Sequence, residues 1–203
     1  MSQITEGGVT TAKPTTRERL LDAAVSSLIE LGVARTTTLE VQRRSGTSRG
    51  ALLHHFPTHA ALLSATIQAL VARNDQAIQL AEQQVGDVSD PLERAVRVLS
   101  TVSLQPTFLA ELDVWSAART DSELLVAVRD AERQARLDRE RVVDSLFACV
   151  SDHPNYPAIK TLTLHFMRGL AISSVLVVHA ERHERMLERW VWALRQLLEA
   201  KAP

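Results

Sequence analysis

Apolar residues near the N-terminus recur at steps of three and four, which is the spacing that one face of an α-helix requires. Leu20, Leu21, Ala24, Leu28 and Leu31 follow this spacing, in a pattern that starts near Thr16 and stops at Gly32. Only 4% of the residues are aromatic, and Ala, Leu, Glu, Arg and Gln recur throughout, so helix formers far outnumber strand formers. The sequence therefore predicts an all-α protein.

Two short helical segments follow this first helix, separated by a tight turn that contains glycine. We expect Thr38 to cap the first segment, Gly46 to end it and Ser48 to cap the second. A longer helix before two short ones joined by a tight turn is typical of a helix-turn-helix DNA-binding unit. A short, half-polar helix can also be a solvated connector, so the pattern alone leaves both interpretations open.

The second short segment, SRGALLHHF, has an apolar side and a small, polar side. At 100° per residue, Leu52 and Phe56 share a face that can pack beneath the first helix, while Gly50 and Ala51 lie opposite. Small side chains allow close approach to base edges in the major groove, and an arginine guanidinium can recognise guanine. If the segment binds DNA, Arg49, Gly50 and Ala51 are the residues that we expect to face the bases.

The balance of charges limits where nucleic acid could bind. The chain has 23 Lys and Arg against 24 Asp and Glu, a net charge of −1, so any nucleic-acid footprint must be local. Cys149 is the single cysteine, lies in an apolar stretch and is expected to be buried and inert. No N-terminal run resembles a signal peptide, and the apolar segment from Leu170 to Val178 is shorter than the roughly 20 residues of a membrane span. We expect a cytoplasmic protein without a membrane segment.

Residues 17–63 resemble the N-terminal domain of the TetR (tetracycline repressor) family of transcriptional regulators. The residues that carry the resemblance are Ala23, Ala24, Gly32, Thr38, Gly46, Ser48, Gly50, Leu52, His55, Phe56, Pro57, Leu62 and Leu63. The later segment FLAELDVWSAARTDSELL also resembles a stretch common in the regulatory domains of this family. The resemblance implies a helix-turn-helix domain at residues 15–60 and a ligand-binding and dimerisation domain at residues 61–203. The polar, aperiodic residues 1–14 are predicted to be disordered.

The resemblance also implies which residues meet double-stranded operator DNA. Arg49, Gly50 and Ala51 are expected at the bases. The residues expected near the DNA backbone are Arg17, Thr38, Ser48, Leu53, His54 and His59. Several residues depart from the family pattern: Val41 and Gln42 stand where isoleucine and alanine are usual, and Ser45 where alanine is. Leu53 replaces an aromatic residue and His59 a lysine. These departures leave a second hypothesis open, a TetR-like protein with degraded DNA binding that acts as a ligand-binding or protein-partner module.

The bulky residues of the second half suggest where a small molecule could bind. A cavity between bundle helices is predicted at Phe108, Leu112, Trp115, Phe147, Phe166 and Leu170, for a largely apolar effector. Ordinary core packing is the alternative for each of them. Apolar stripes on the last two helices, such as Ile159 and Leu162 on one and Leu187, Val191 and Leu194 on the other, suggest with the resemblance a homodimer. A monomeric core could use the same stripes.

Catalytic and metal-binding motifs do not emerge from the sequence. No G-x-S-x-G elbow, phosphate-binding loop, dinucleotide fingerprint or H-E-x-x-H motif occurs. His179 and His183 are four residues apart, but a predicted helix end falls between them. We therefore expect no enzyme, no cofactor and no metal, and we interpret the chain as a homodimeric, ligand-responsive repressor.

Overall fold

The computed structural model describes residues 13–176 and 180–201, and every regular element within those ranges is helical. The α-helices in chain order are α1 (Thr16–Leu31), α2 (Thr38–Ser45), α3 (Arg49–His55), α4 (His59–Gln84), α5 (Pro91–Ser103), α6 (Pro106–Ala118), α7 (Ser122–Leu146), α8 (Tyr156–Ser174) and α9 (Ala180–Glu199). The all-α prediction is confirmed. Residues 1–12 of the segment that was predicted to be disordered lie outside the described residues, and so does His179. None of the described helices is long and apolar enough to cross a membrane.

The ends of the first three helices are set by short polar side chains and two glycines. Gly32 ends α1 with φ 76° and Gly46 ends α2 with φ 63°, a backbone conformation that glycine adopts without steric cost. Ser48 caps α3 as predicted, since its Oγ accepts a hydrogen bond from the Ala51 amide at 3.1 Å. The end of α2 and the start of α3, on either side of the turn, are thus fixed by local interactions.

The cap of α2 is one residue earlier than the sequence predicted. Thr37, not Thr38, is the N-cap, and its Oγ1 accepts a hydrogen bond from the Glu40 amide at 3.2 Å. Thr38 is the first residue within the helix. In a run of three threonines, the register is decided by which hydroxyl reaches an amide three residues ahead, and here that amide belongs to Glu40.

The N-terminal helices enclose a small core of their own. Leu20, Val41, Leu52 and Phe56 are all buried there, together with Leu62 from the start of α4. The prediction that Leu52 and Phe56 pack beneath the first helix is confirmed, because only 2% and 3% of their surfaces are exposed. Burying one face of α3 in this way leaves its other face for solvent.

A second core joins this unit to the helices that follow it. Val25 and Leu28 of α1 pack into the same cluster as Ile67 and Leu70 of α4 and Val114 of α6. Helix α7 completes the cluster. Since α1 contributes to both cores, the helix-turn-helix is braced against α4 and α6 as well as connected to α4 by the chain.

A third core, formed by α5, α8, α9 and the ends of α4 and α7, corrects two sequence expectations. Leu187, Val191 and Leu194 are buried within the chain itself, with 4%, 4% and 0% of their surfaces exposed, so the predicted dimer stripe of α9 is largely monomer core. Cys149 is exposed, not buried. The reason is that α7 ends at Leu146, and the following 3-10 turn directs the cysteine outward.

Candidate nucleic-acid interface and internal sites

Helix α3 presents one uninterrupted face to solvent. Arg49, Gly50 and His54 are exposed, Leu53 exposes 42% of its surface, and Ala51 lies half-buried at the border. A Cβ built on Gly50 would meet only the Ser48 Oγ, at 3.9 Å, so no part of the described chain covers this position. The face is therefore small and open at the N-terminal turn of the helix, where base edges would be approached.

The neighbouring arginines of α2 form ion pairs within the chain, whereas Arg49 forms none with the described residues. Arg43 Nε donates to Glu40 at 2.9 Å, and Arg44 binds both Glu40, at 2.6 Å, and Glu30 of α1, at 2.7 Å. The guanidinium groups of Arg43 and Arg44 lower the pKa of the Glu40 carboxyl to about 2. Within residues 13–176 and 180–201, Arg49 forms neither an ion pair nor a hydrogen bond through its side chain, so its donors remain available.

The turn that sets the angle between α2 and α3 is held by side-chain hydrogen bonds. Arg19 of α1 donates to the Ser45 carbonyl at 3.2 Å, and the hydroxyls of Ser45 and Thr47 lie 2.9 Å apart. Because the first of these bonds reaches across from α1, it ties the turn before α3 to the rest of the domain. A recognition helix needs this rigidity to keep its register on DNA.

Arg17, Thr38 and His59, which were predicted to contact the DNA backbone, are found in helices α1, α2 and α4, and the His59 side chain already has a partner within the chain. Arg17 is exposed at the start of α1, with its guanidinium 5.7 Å from the centre of the Phe56 ring, and Thr38 is half-buried at the start of α2. His59 Nε2 lies 2.9 Å from the Thr36 carbonyl oxygen, which it meets as a donor. This bond ties the start of α4 to the segment that enters α2, a role that the sequence did not reveal.

The replacement His59→Lys tests whether the start of α4 faces the DNA backbone. We expect log K against log salt to steepen by ~0.9 for each subunit, because each added cation releases about one further counterion. Loss of the bond to Thr36 should lower the free energy of unfolding by about 0.5–1.5 kcal/mol. Titration of selected operator DNA at several salt concentrations measures the slope. Gln83→Lys adds the same charge at the far end of α4 and should leave the slope unchanged; equal slopes for all three proteins would contradict this docking.

A cavity of about 760 Å³ lies between α8, α9 and the residue that follows α5. Its lining residues are Leu104, Phe166, Gly169, Leu170, Ser173, Ser174, Ala180, Arg182, His183, Glu184 and Met186. The volume falls within the range of roughly 300–1,000 Å³ that is common for small-molecule sites. Phe166 is the aromatic lining residue, and its ring stacks on the Trp190 ring with 4.5 Å between their centres.

The six predicted effector residues are not brought together. Phe166 and Leu170 line the cavity, but Phe147 is fully buried in the third core and Leu112 exposes only 9% of its surface. Phe108 packs against the third core and Trp115 against the second. Those last two lie two turns, about 10 Å, apart on α6, and neither lines the cavity.

A partly buried polar cluster, which the sequence analysis missed, lies between α4, α6, α7 and α8. It consists of Asn74, Asp75, Glu111, Trp115, Glu132, Arg139 and Arg168. Only 5% of the Glu111 surface is exposed, and burial raises the pKa of its carboxyl, an effect that Arg139 opposes. The sequence offered one indication: Glu111 lies among Phe108, Leu112 and Trp115, at a helical position where an apolar residue is expected.

The part of the chain that the structure describes contains no set of side chains arranged to bind a metal ion. No group of three or more His, Cys, Asp and Glu side chains converges there. His183 instead lies with Nε2 2.7 Å from the Ser100 hydroxyl, which links α9 to α5. Burial lowers the pKa of the His183 imidazole.

Comparison with known proteins agrees with this architecture. Residues 20–66 match the model described as bacterial regulatory proteins, tetR family. The chain is 28% identical over 172 residues to the HTH-type transcriptional regulator CymR of Pseudomonas putida, covering 84% of this chain and 85% of that one. A transcriptional regulator from Rhodococcus sp. Rha1 superposes with a TM-score of 0.65 at 22% identity, covering 90% and 97% of the two chains. The multidrug binding protein EbrR complexed with ethidium gives 0.61 at 20% identity, covering 92% and 99%. At these identities, the two structures show a shared fold alone.

Proposed function

The chain belongs to the tetR family of bacterial transcriptional regulators, and on that premise we propose that it is a homodimeric repressor which a small-molecule effector releases from operator DNA. The observation that carries the proposal is the open face of α3, where Arg49 has free donors and nothing in the described chain covers Gly50. In this proposal, each subunit inserts α3 into the major groove, with half-sites about one helical turn, ~34–36 Å, apart. The protein would act in the cytoplasm, where its DNA is.

Dimerisation is proposed through an exposed apolar face of α8 and α9. Leu162, Ile172 and Leu176 expose 46%, 50% and 85% of their surfaces and lie on one side of α8 and the residues just after it. Trp192 on α9 exposes 63%. Large apolar side chains gathered on a surface are typical of a protein interface. This face, and not the buried stripe of Leu187 and Leu194, is where we expect the second subunit.

The effector response is proposed to act through α4. This helix begins next to α3, contributes to all three cores and packs along α7. A ligand held among the regulatory helices can favour one position of α4 and hence one spacing of the two α3 helices. It lowers operator affinity only by the difference between its affinities for the two states of the dimer. EbrR, a protein of the same fold, binds ethidium, which supports a ligand-binding role for the helical domain.

Replacing Arg49 tests the proposed function by its effect on sequence preference. We expect Arg49→Ala to weaken operator binding by about 1–3 kcal/mol and to relax the preference at one base pair in each half-site, because a guanine contact is lost. Titration of single-base operator variants separates this from a general loss. If all operator variants weaken equally, Arg49 contacts only phosphate; if none weakens, α3 does not face the DNA.

A second candidate function rests on the departures from the family pattern. Leu53 places an apolar, uncharged side chain on the open face of α3, and His59 is engaged with Thr36. Both features reduce contacts to the DNA backbone, so the chain could act as a ligand-binding or protein-partner module without an operator of its own. Absence of any selected DNA sequence would favour this alternative.

A further inference from the structure

The polar cluster pairs most of its charges within the chain and leaves one, that of Arg168, without an ion pair among the described residues. Arg139 binds three carboxylates, those of Glu132 at 2.8 Å, Glu111 at 3.3 Å and Asp75 at 3.6 Å. Arg168 of α8 lies next to this group, with its guanidinium 4.7 Å from the centre of the Trp115 ring. Among the described residues, no carboxylate is within ion-pair distance of Arg168 and no acceptor takes a hydrogen bond from it.

Other polar atoms of the same cluster are also left without partners among the residues that the structure describes. Trp115 Nε1 is a buried donor with no acceptor, and Asn74 Oδ1 and Glu132 Oε1 are buried acceptors with no donor. Asn74 exposes only 4% of its surface, and its amide nitrogen is used by Glu111 and by the Thr107 carbonyl, so the orientation of the amide is fixed. Buried polar atoms are costly to leave unpaired, and a cluster of them indicates a binding partner.

The unpaired groups specify the chemistry of that partner. Arg168 and Trp115 Nε1 both donate, and a guanidinium binds a carboxylate with two parallel hydrogen bonds. Asn74 Oδ1 and Glu132 Oε1 both accept, which suits a hydroxyl or an N–H group on the same ligand. The Trp115 ring, which packs against the second core, offers an apolar surface for the body of such a ligand. Burial lowers the pKa of Arg168 and the nearby Arg139 lowers it further, effects that Glu111 and Glu132 oppose and that a bound anion would oppose as well.

We infer that Arg168 and Trp115 form the anchor for an organic carboxylate, and that the effector of this regulator is an organic acid with an apolar body. This inference rests on the proposed function for its regulatory meaning. The anchor spans α6 and α8, and Asn74 brings in α4, the helix that leads to the DNA-binding domain. Binding there would therefore act on the dimer face of α8 and on α4 together. It adds a carboxylate to the largely apolar effector that the sequence suggested, and it uses Trp115 from the predicted set.

The probes for this site are aromatic and straight-chain monocarboxylates, each paired with its uncharged primary amide. Calorimetric titration of the full-length protein without DNA should show at least one acid that binds about tenfold or more tightly than its amide. Arg168→Met keeps the length of the side chain but removes the charge, and Trp115→Phe keeps a ring but removes the N–H donor. Both should remove most of the acid preference, while Arg133→Met, at an exposed arginine of α7, should leave it intact.

Two further measurements keep the test decisive. If Arg168→Met melts early, Arg168→Lys keeps the charge without the planar guanidinium and should show a reduced but present acid preference. No preference for any acid over its amide, or a preference that survives Arg168→Met, overturns the anchor. Operator release is measured separately. If an acid binds but the protein stays on its operator, the proposed ligand response is contradicted while the carboxylate anchor stands. If only uncharged compounds release the operator, the carboxylate anchor is contradicted while the proposed function stands.

Discussion

Gly50→Glu is expected to abolish operator binding while leaving the protein folded. A side chain at this position meets only the Ser48 Oγ in the free chain, and an acidic residue in the first turn of a helix is favourable, so the melting temperature should not fall. On DNA, the same side chain would fill the space needed for base edges and bring a negative charge to the phosphates. Like charges at an interface cost several kcal/mol, about a hundredfold or more in affinity.

The measurement is a titration of selected operator DNA, with a thermal melt of each variant. Gly50→Gln has nearly the same size without the charge and separates the steric part of the loss from the electrostatic part. Gly86→Glu places the same charge in an exposed loop, where nothing lies within 4 Å of a built Cβ, and should bind the operator normally. Retained binding by Gly50→Glu would show that α3 does not approach DNA by its N-terminal turn.

Two glutamate substitutions two residues apart on α9 are expected to have opposite consequences. Leu194 is fully buried, so Leu194→Glu should lower the free energy of unfolding by at least about 3 kcal/mol, since loss of a buried leucine alone costs ~2–5 kcal/mol and the charge adds to it. Trp192 exposes 63% of its surface, so Trp192→Glu should fold normally but fail to dimerise. Its operator affinity should fall because the two α3 helices are no longer held together.

Sedimentation and thermal melting together distinguish the two outcomes. Gln134→Glu introduces the same charge on an exposed position of α7 and should remain a stable dimer. A Trp192→Glu protein that sediments as the wild type does would contradict the proposed dimer face. A Leu194→Glu protein that melts normally would contradict the packing of α9 in the third core.

The helix-turn-helix could be predicted from the sequence because its determinants are local. Gly32, Gly46 and Ser48 fix helix ends through backbone conformation and a short side chain, and each acts within a few residues. The same locality explains the one error there, the cap of α2. Neighbouring threonines offer two equivalent hydroxyls, and periodicity does not separate residues one position apart.

The packing of the C-terminal helices was harder to predict, because the spacing of an apolar stripe does not indicate which surface covers it. Leu187 and Leu194 have the same spacing whether they face a second subunit or the chain's own α5 and α8. The polar cluster was missed for a related reason. Asn74, Arg139 and Arg168 are far apart in the chain and look like ordinary surface residues until the three helices that carry them meet.

Selection of bound sequences from random DNA by the purified full-length protein tests the central claim most directly. We predict an inverted repeat whose half-sites are about one helical turn apart, with a guanine in each half-site that loses its preference in Arg49→Ala. Binding to the selected sequence should weaken steeply with salt. Recovery of no common sequence, or of one that Arg49→Ala and Gly50→Glu bind as the wild type does, would contradict a repressor that reads DNA through α3.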